Sequence, residues 1–95
     1  MSAMTPRGAP DAGPTDQDLA ARILDLAGGP ANVSGLDMCF TRLRLVLVDP
    51  ALTDAEGIEA LPGVVMTFTQ SGQYQVVLGA RVRGVYRAFQ ALTGL

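Results

Sequence analysis

Histidine is absent from this 95-residue chain, tryptophan is absent, cysteine occurs once, and every basic residue is arginine. Each gap closes off a class of chemistry. A cysteine protease or amidase needs a basic partner for its thiol, and no imidazole exists to serve. One thiol can neither close an internal disulfide nor run a thioredoxin-like exchange, and without histidine it cannot complete a Cys/His zinc site. No metal and no cofactor are therefore expected, and a reducing, cytoplasmic setting fits a free thiol. A glycine-rich nucleotide loop is also missing, because Gly28-Gly29 stops a helix rather than starting one. No stretch approaches the roughly 18 apolar residues of a membrane span. The N-terminal stretch lacks the apolar segment of a secretion signal, so the chain is expected to be soluble. A net charge of −2 with 5% aromatic residues argues against nucleic acid as a partner.

What is present is a small globular chain. Nearly half the residues are apolar (48%) and 17% are charged, enough for one core built on Leu, Val, Ile and Ala. Residues 1–14 carry three prolines and two glycines and read as a disordered tail. Order is expected over 15–95, as a single domain. Thr15 with Asp18 makes a capping-box pattern, Leu19, Ile23, Leu26 and Ala27 follow at helical spacing, and Gly28-Gly29-Pro30 ends the helix. A short strand is allowed over 32–38. The strongest strand runs from Thr41 to Val48, with Thr41, Leu43, Leu45 and Leu47 on the core side and Arg42, Arg44, Val46 and Val48 facing outward.

Thr53-Asp54-Ala55-Glu56 reads as a second capping box with a helix to Leu61. Strands are expected over 64–69 and 73–78, joined by Gln70-Ser71-Gly72 as a hairpin turn. A last helix spans about 81–92, with Val82, Val85, Tyr86, Phe89 and Leu92 on its apolar stripe. Gly84 within it costs about 1 kcal/mol relative to alanine. The order α-β-β-α-β-β-α predicts an α+β fold: a four-stranded, mostly antiparallel sheet with three helices packed on one face. The other face stays open to a partner.

The chemistry concentrates in Asp37-Met38-Cys39-Phe40-Thr41-Arg42-Leu43-Arg44. A lone cysteine is more often a small buried apolar residue, and strand arginines are usually a solvated face. Their combination at the mouth of a strand reverses those odds. The arginines stabilise a thiolate, the reactive form of Cys39. Arg42 and Arg44 are roughly 7 Å apart on one face, close enough to clamp phosphate oxygens with planar forks, and Thr41 adds a hydroxyl donor. Asp37 can cap the turn or orient an arginine, the first being favoured because a carboxylate beside phosphate is costly. A tyrosine-phosphatase loop is excluded, since Cys-x5-Arg would need arginine where Leu45 stands.

These residues, with Gly28-Gly29-Pro30-Ala31-Asn32-Val33, Asp49, Gly63-Val64 and Gln73-Tyr74-Gln75-Val76-Val77-Leu78-Gly79, resemble the EIIB component of the bacterial sugar phosphotransferase system, of the glucose, N-acetylglucosamine and sucrose type. The resemblance covers about residues 15–95 and implies the antiparallel sheet with helices on one face. It implies that Cys39 accepts phosphate from a phosphohistidine on an EIIA protein and passes it to a sugar held by a membrane EIIC permease. Thr41, Arg42 and Arg44 match positions around the phosphate, with at least one arginine serving mainly the transfer to sugar. Asp37, Phe40 and Gln75 would support the site, and Gln75 and Gly79 match positions in the last strand. Phe40 and Met38 replace smaller or aliphatic residues and so alter the rim. The implied location is the cytoplasmic face of the membrane, through EIIC. Two other roles compete: a regulatory module that reports its phosphorylation state without feeding a transporter, and a redox-sensing thiol, which ranks last.

Overall fold

The computed structural model describes residues 14–95. The tail expected over 1–14 thus lies, except for Pro14, outside the described residues. Helix α1 (Asp16–Leu26) starts where the sequence places its cap: Thr15 Oγ1 accepts the Asp18 N–H at 3.0 Å, and the Asp18 carboxylate takes the Thr15 N–H at 3.5 Å. Its buried face is Leu19, Ala20, Ile23 and Leu24. Gly28 and Gly29 end it with φ of 112° and 88°, a backbone that side chains rarely adopt.

Those glycines bring Asn32 under the helix end, and Asn32 is 3% exposed. Its amide donates to the Ala27 carbonyl at 2.7 Å and the Asp49 carbonyl at 3.0 Å, while its Oδ1 accepts the Asp49 N–H at 2.8 Å. A buried amide with these three bonds staples the end of α1 to the chain leaving the second strand. A Cβ at position 28 would meet this amide at 2.8 Å, which is a second reason for glycine there. Asn32→Ala removes all three bonds and leaves the Asp49 peptide unpaired, so it should cost about 2–3 kcal/mol in urea unfolding. A loss below ~0.5 kcal/mol would mean that water replaces the amide without penalty.

The strands are β1 (Val33–Met38), β2 (Arg42–Leu47), β3 (Met66–Gln70) and β4 (Gln73–Val77), in the spatial order β1-β2-β4-β3. All three neighbouring pairs are antiparallel. Two hairpins thus lie side by side with β2 and β4 at the centre. Leu43 and Leu45 of β2 and Val76 of β4 are fully buried against α1 and α3 (Val82–Thr93), where Leu19, Ile23, Val85 and Phe89 complete the core. Burying each such side chain contributes about 1.5–3 kcal/mol. Arg42, Arg44, Gln73 and Gln75 alternate onto the opposite face, as the period of two dictates. The α+β architecture with helices on one side follows the sequence reading.

Local details differ. Helix α2 is Ala55–Glu59 and its cap is Asp54, whose Oδ1 accepts the Gly57 N–H at 2.9 Å. Thr53, expected as that cap, instead donates its hydroxyl to the Ala27 carbonyl at 2.9 Å, because the orphan carbonyls of α1 need donors. Strand β3 starts at Met66 rather than Val64, since Gly63 (φ 100°) turns the chain and Val64 N–H still bonds Leu61. Leu92 is exposed in the last turn of α3, beyond Phe89. Gly84 leaves α3 unbroken and has a packing reason: a Cβ there would collide with the Asp16 carboxylate, which takes the Arg81 Nε–H at 3.2 Å.

Candidate active site

Cys39, Phe40 and Thr41 form the connection between β1 and β2. The Cys39 N–H donates to the Arg42 carbonyl at 2.9 Å, closing the turn. The Thr41 carbonyl accepts two N–H groups, from Leu78 at 2.9 Å and from Gly79 at 3.1 Å, so the turn is braced by the end of β4. Gly79 reaches that position with φ 64°, which explains why glycine stands there. The brace joins the two central strands at the point where the thiol emerges.

The sulfur is free and half-buried. Partial burial pushes its pKa up, but the guanidinium groups of Arg44 and Arg42, with the backbone N–H groups of Thr41 and Arg42, overcome this and lower it to about 7. Half the population is then thiolate near neutral pH. Alkylation of the thiol should reach half its maximal rate near pH 7 and level off about a unit higher. A rate still climbing at pH 9 would describe an ordinary cysteine, with its pKa of about 8.5.

Arg42 lies over the Phe68 ring with its Cζ 5.6 Å from the centroid. Arg44 faces Asp37 on β1 and Gln75 on β4 in register, and its Nη1 donates to Gln73 Oε1 at 3.4 Å. The Asp37 carboxylate turns to its neighbour's backbone instead, accepting the Met38 N–H at 2.8 Å. Gln75 is 3% exposed, and its Oε1 and the Arg44 Nε are both buried without a partner among the described residues. Phe40 is 94% exposed at the tip of the turn. Beside the sulfur lies a depression of about 590 Å³ lined by Met38, Phe40, Thr41, Val82 and Arg83. A larger one, about 750 Å³ along α1 and Leu61-Pro62, holds no nucleophile, so the chemistry belongs to the smaller. Among the described residues no cluster of three or more His, Cys, Asp or Glu side chains is placed to hold a metal.

The structure thus brings Cys39, Arg42 and Arg44 to one end of the open sheet face, with Asp37 and Gln75 flanking Arg44, Phe40 projecting past the sulfur, and Thr41 lining the depression on the side of Val82 and Arg83. Sequence reasoning missed Gln73, Phe68 and Arg83 as neighbours of this group. Alternation alone could have grouped Gln73 with Gln75, but the pairing of β2 with β4 was needed to set them beside Arg44.

Comparison with known proteins meets the same residues. The family model described as phosphotransferase system, EIIB matches residues 21–54, which include every one of these positions on β1, the turn and β2. The trehalose-specific EIIBC component of Escherichia coli (strain K12) is 45% identical over 73 residues, 77% of this chain. The chain belongs to the EIIB family of the phosphotransferase system. The sucrose-specific EIIBC component of Pasteurella multocida is 40% identical to this EIIB chain over 81% of its length. A solved domain of the phosphotransferase system IIabc component from Clostridium difficile superposes with a TM-score of 0.76 at 28% identity, covering 81% of each chain. The EIIB chain spans only 15% and 16% of the lengths of the trehalose and sucrose relatives. No helix among its described residues is long and apolar enough to cross a membrane.

Proposed function

We propose that residues 15–95 form a single phosphocysteine domain, a carrier that relays a phosphoryl group to a transported sugar. Cys39 is the relay atom. Its thiolate attacks the phosphorus of a phosphohistidine on an EIIA partner, the S–P bond forms as the P–N bond breaks, and the imidazole leaves. A sugar hydroxyl bound by a membrane EIIC then attacks the same phosphorus, the O–P bond forms, and the thiolate departs while the hydroxyl proton passes to solvent or a base on EIIC. Both steps depend on positioning and charge stabilisation, because the phosphorus must lie in line between the attacking and the leaving atom.

The observation that carries this reading is the half-buried thiol whose pKa is lowered to about 7 by two guanidiniums and two backbone N–H groups. The same donors suit a transferred PO₃ unit, whose charge spreads over three oxygens. Thr41 gives the sulfur its backbone N–H and lines the same depression, where its hydroxyl is a further donor for the phosphate in this reading. Asp37 serves the turn, and Gln75 supports the arginine face. Phe40 offers a partner an apolar anchor next to the sulfur, with Arg83 on the far rim.

Relatives that carry EIIB and EIIC in one chain support transport over a purely regulatory module, and support a working position at the cytoplasmic face of the membrane. The beta-glucoside-specific EIIBCA component of Dickeya chrysanthemi has EIIA in the same chain as well. Trehalose, sucrose and β-glucosides share a glucosyl unit, which supports a sugar of the glucose class. N-acetylglucosamine would add an acetamido group, a difference a sugar panel resolves. Incubated with phosphorylated upstream carriers, the chain should gain one phosphoryl group by mass spectrometry and lose it to sugar when membranes carrying EIIC are added. A chain that stays unmodified while a reference EIIB domain is labelled overturns the proposal.

A further inference from the structure

We infer that Gln73 is a positioning residue for Arg44: its side-chain carbonyl holds one end of the guanidinium so that the rest stays aimed at the Cys39 sulfur. The inference deepens the phosphocysteine reading and rests on it for its catalytic meaning.

Arg44 sits two residues farther from the turn than Arg42, so its side chain must reach back along β2 to meet the sulfur. A long, freely rotating side chain does this reproducibly only when something fixes it. Arg42 is fixed by the ring of Phe68, 5.6 Å from its Cζ. For Arg44 the fixed point is the 3.4 Å bond from Nη1 to Gln73 Oε1. Gln75, directly opposite in register, does not take that part, because its Oε1 is unpaired. The bond to Gln73 uses one of five donors, and the buried Nε has no partner. The guanidinium is therefore anchored at one end and still has donors for an anion.

Gln73 is itself well placed to be an anchor. It pairs with Gln70 to close the β3–β4 hairpin, and the two residues between, Ser71 (φ 54°) and Gly72 (φ 78°), both adopt the left-handed conformation of a tight two-residue turn. The hairpin fixes Gln73, Gln73 fixes Arg44, and Arg44 faces the sulfur. Arg42 and Arg44 from β2 and Arg83 from α3 are the charged groups around Cys39, and Asp37 on β1 faces Arg44 in register.

The test is a double-mutant cycle read by the pH dependence of Cys39 alkylation with iodoacetamide, which needs no phosphate. Gln73→Leu should raise the apparent thiol pKa by about half a unit, slowing alkylation below pH 7 about threefold. Gln73→Asn, one methylene too short to reach, should do the same, and it guards against a leucine that disturbs the hairpin. In an Arg44→Gln background neither change should have a further effect. An unaltered pH profile in both single variants overturns the inference. So does an equal shift with and without Arg44, since Gln73 would then act by another route. A wild-type chain that accepts no phosphate while this coupling persists overturns the phosphocysteine reading alone.

Discussion

Cys39→Ser should take up no phosphate from the upstream carriers and support no phosphorylation of sugar, a loss of at least about 10³-fold in the first step. The reason is ionisation. The thiol is lowered to about 7 by Arg44, Arg42 and the backbone N–H groups of the turn, so it is a nucleophile at neutral pH. A serine hydroxyl in the same electropositive notch stays protonated, and with no histidine in the chain there is no imidazole to remove its proton. The second step fails for a separate reason, because an alkoxide leaves far more reluctantly than a thiolate. Any phosphoserine formed would be a dead end. Mass spectrometry after exposure to phosphorylated carriers distinguishes the cases: an unmodified variant is expected. A variant labelled as fast as wild type would mean that the phosphate resides elsewhere, and the relay at Cys39 would be wrong.

The substitution should leave the fold intact. The core lies on the other side of the sheet, in Leu43, Leu45, Val76 and the buried faces of α1 and α3, and the turn is held by backbone bonds from Leu78 and Gly79 rather than by the sulfur. Stability and chemistry occupy opposite faces of one sheet. That separation is visible in β2 alone, where successive residues alternate between leucines that build the core and arginines that face the thiol.

This alternation is why so much was legible in the sequence. Period-two patterning of Thr41 to Val48 assigns both faces of β2 without any knowledge of neighbours. Capping chemistry likewise marks the start of α1 at Thr15, because the side-chain bond spans only three residues. Features that depend on distant pairing were harder to read. Thr53 reads locally as a cap, but the carbonyl of Ala27, 26 residues earlier in the chain, claims its hydroxyl. Gly84 reads as a helix weakness until Asp16 is brought against it from α1. Gln73 reads as a hairpin residue until the pairing of β2 with β4 sets it near Arg44. In each case a contact between residues far apart in sequence overrides or completes the local signal.

Arg44→Lys should separate the two halves of the relay, allowing Cys39 to be phosphorylated while slowing transfer to sugar about 10²-fold. Capture of the phosphoryl group from EIIA needs positive charge beside the sulfur, and an ammonium supplies charge. Transfer to sugar asks for more. The PO₃ unit must be held in line between sulfur and hydroxyl, with its charge spread over three oxygens, and planar donors fixed in direction stabilise that arrangement better than a point charge. Arg44 is suited to it because one end of its guanidinium is already tied to Gln73 at 3.4 Å. A lysine has no second end: its three donors share one nitrogen, so it cannot hold Gln73 and present a planar pair of donors to the phosphate at once. Arg42→Lys should be milder, since an ammonium can keep its place over the Phe68 ring. Single-turnover measurement of phosphocysteine formation, followed by release to sugar on membranes carrying EIIC, resolves the steps. No slowing of either step by Arg44→Lys would show that charge alone matters at this position, and equal slowing of both would show that the fork serves capture and release alike; either result overturns the division of labour.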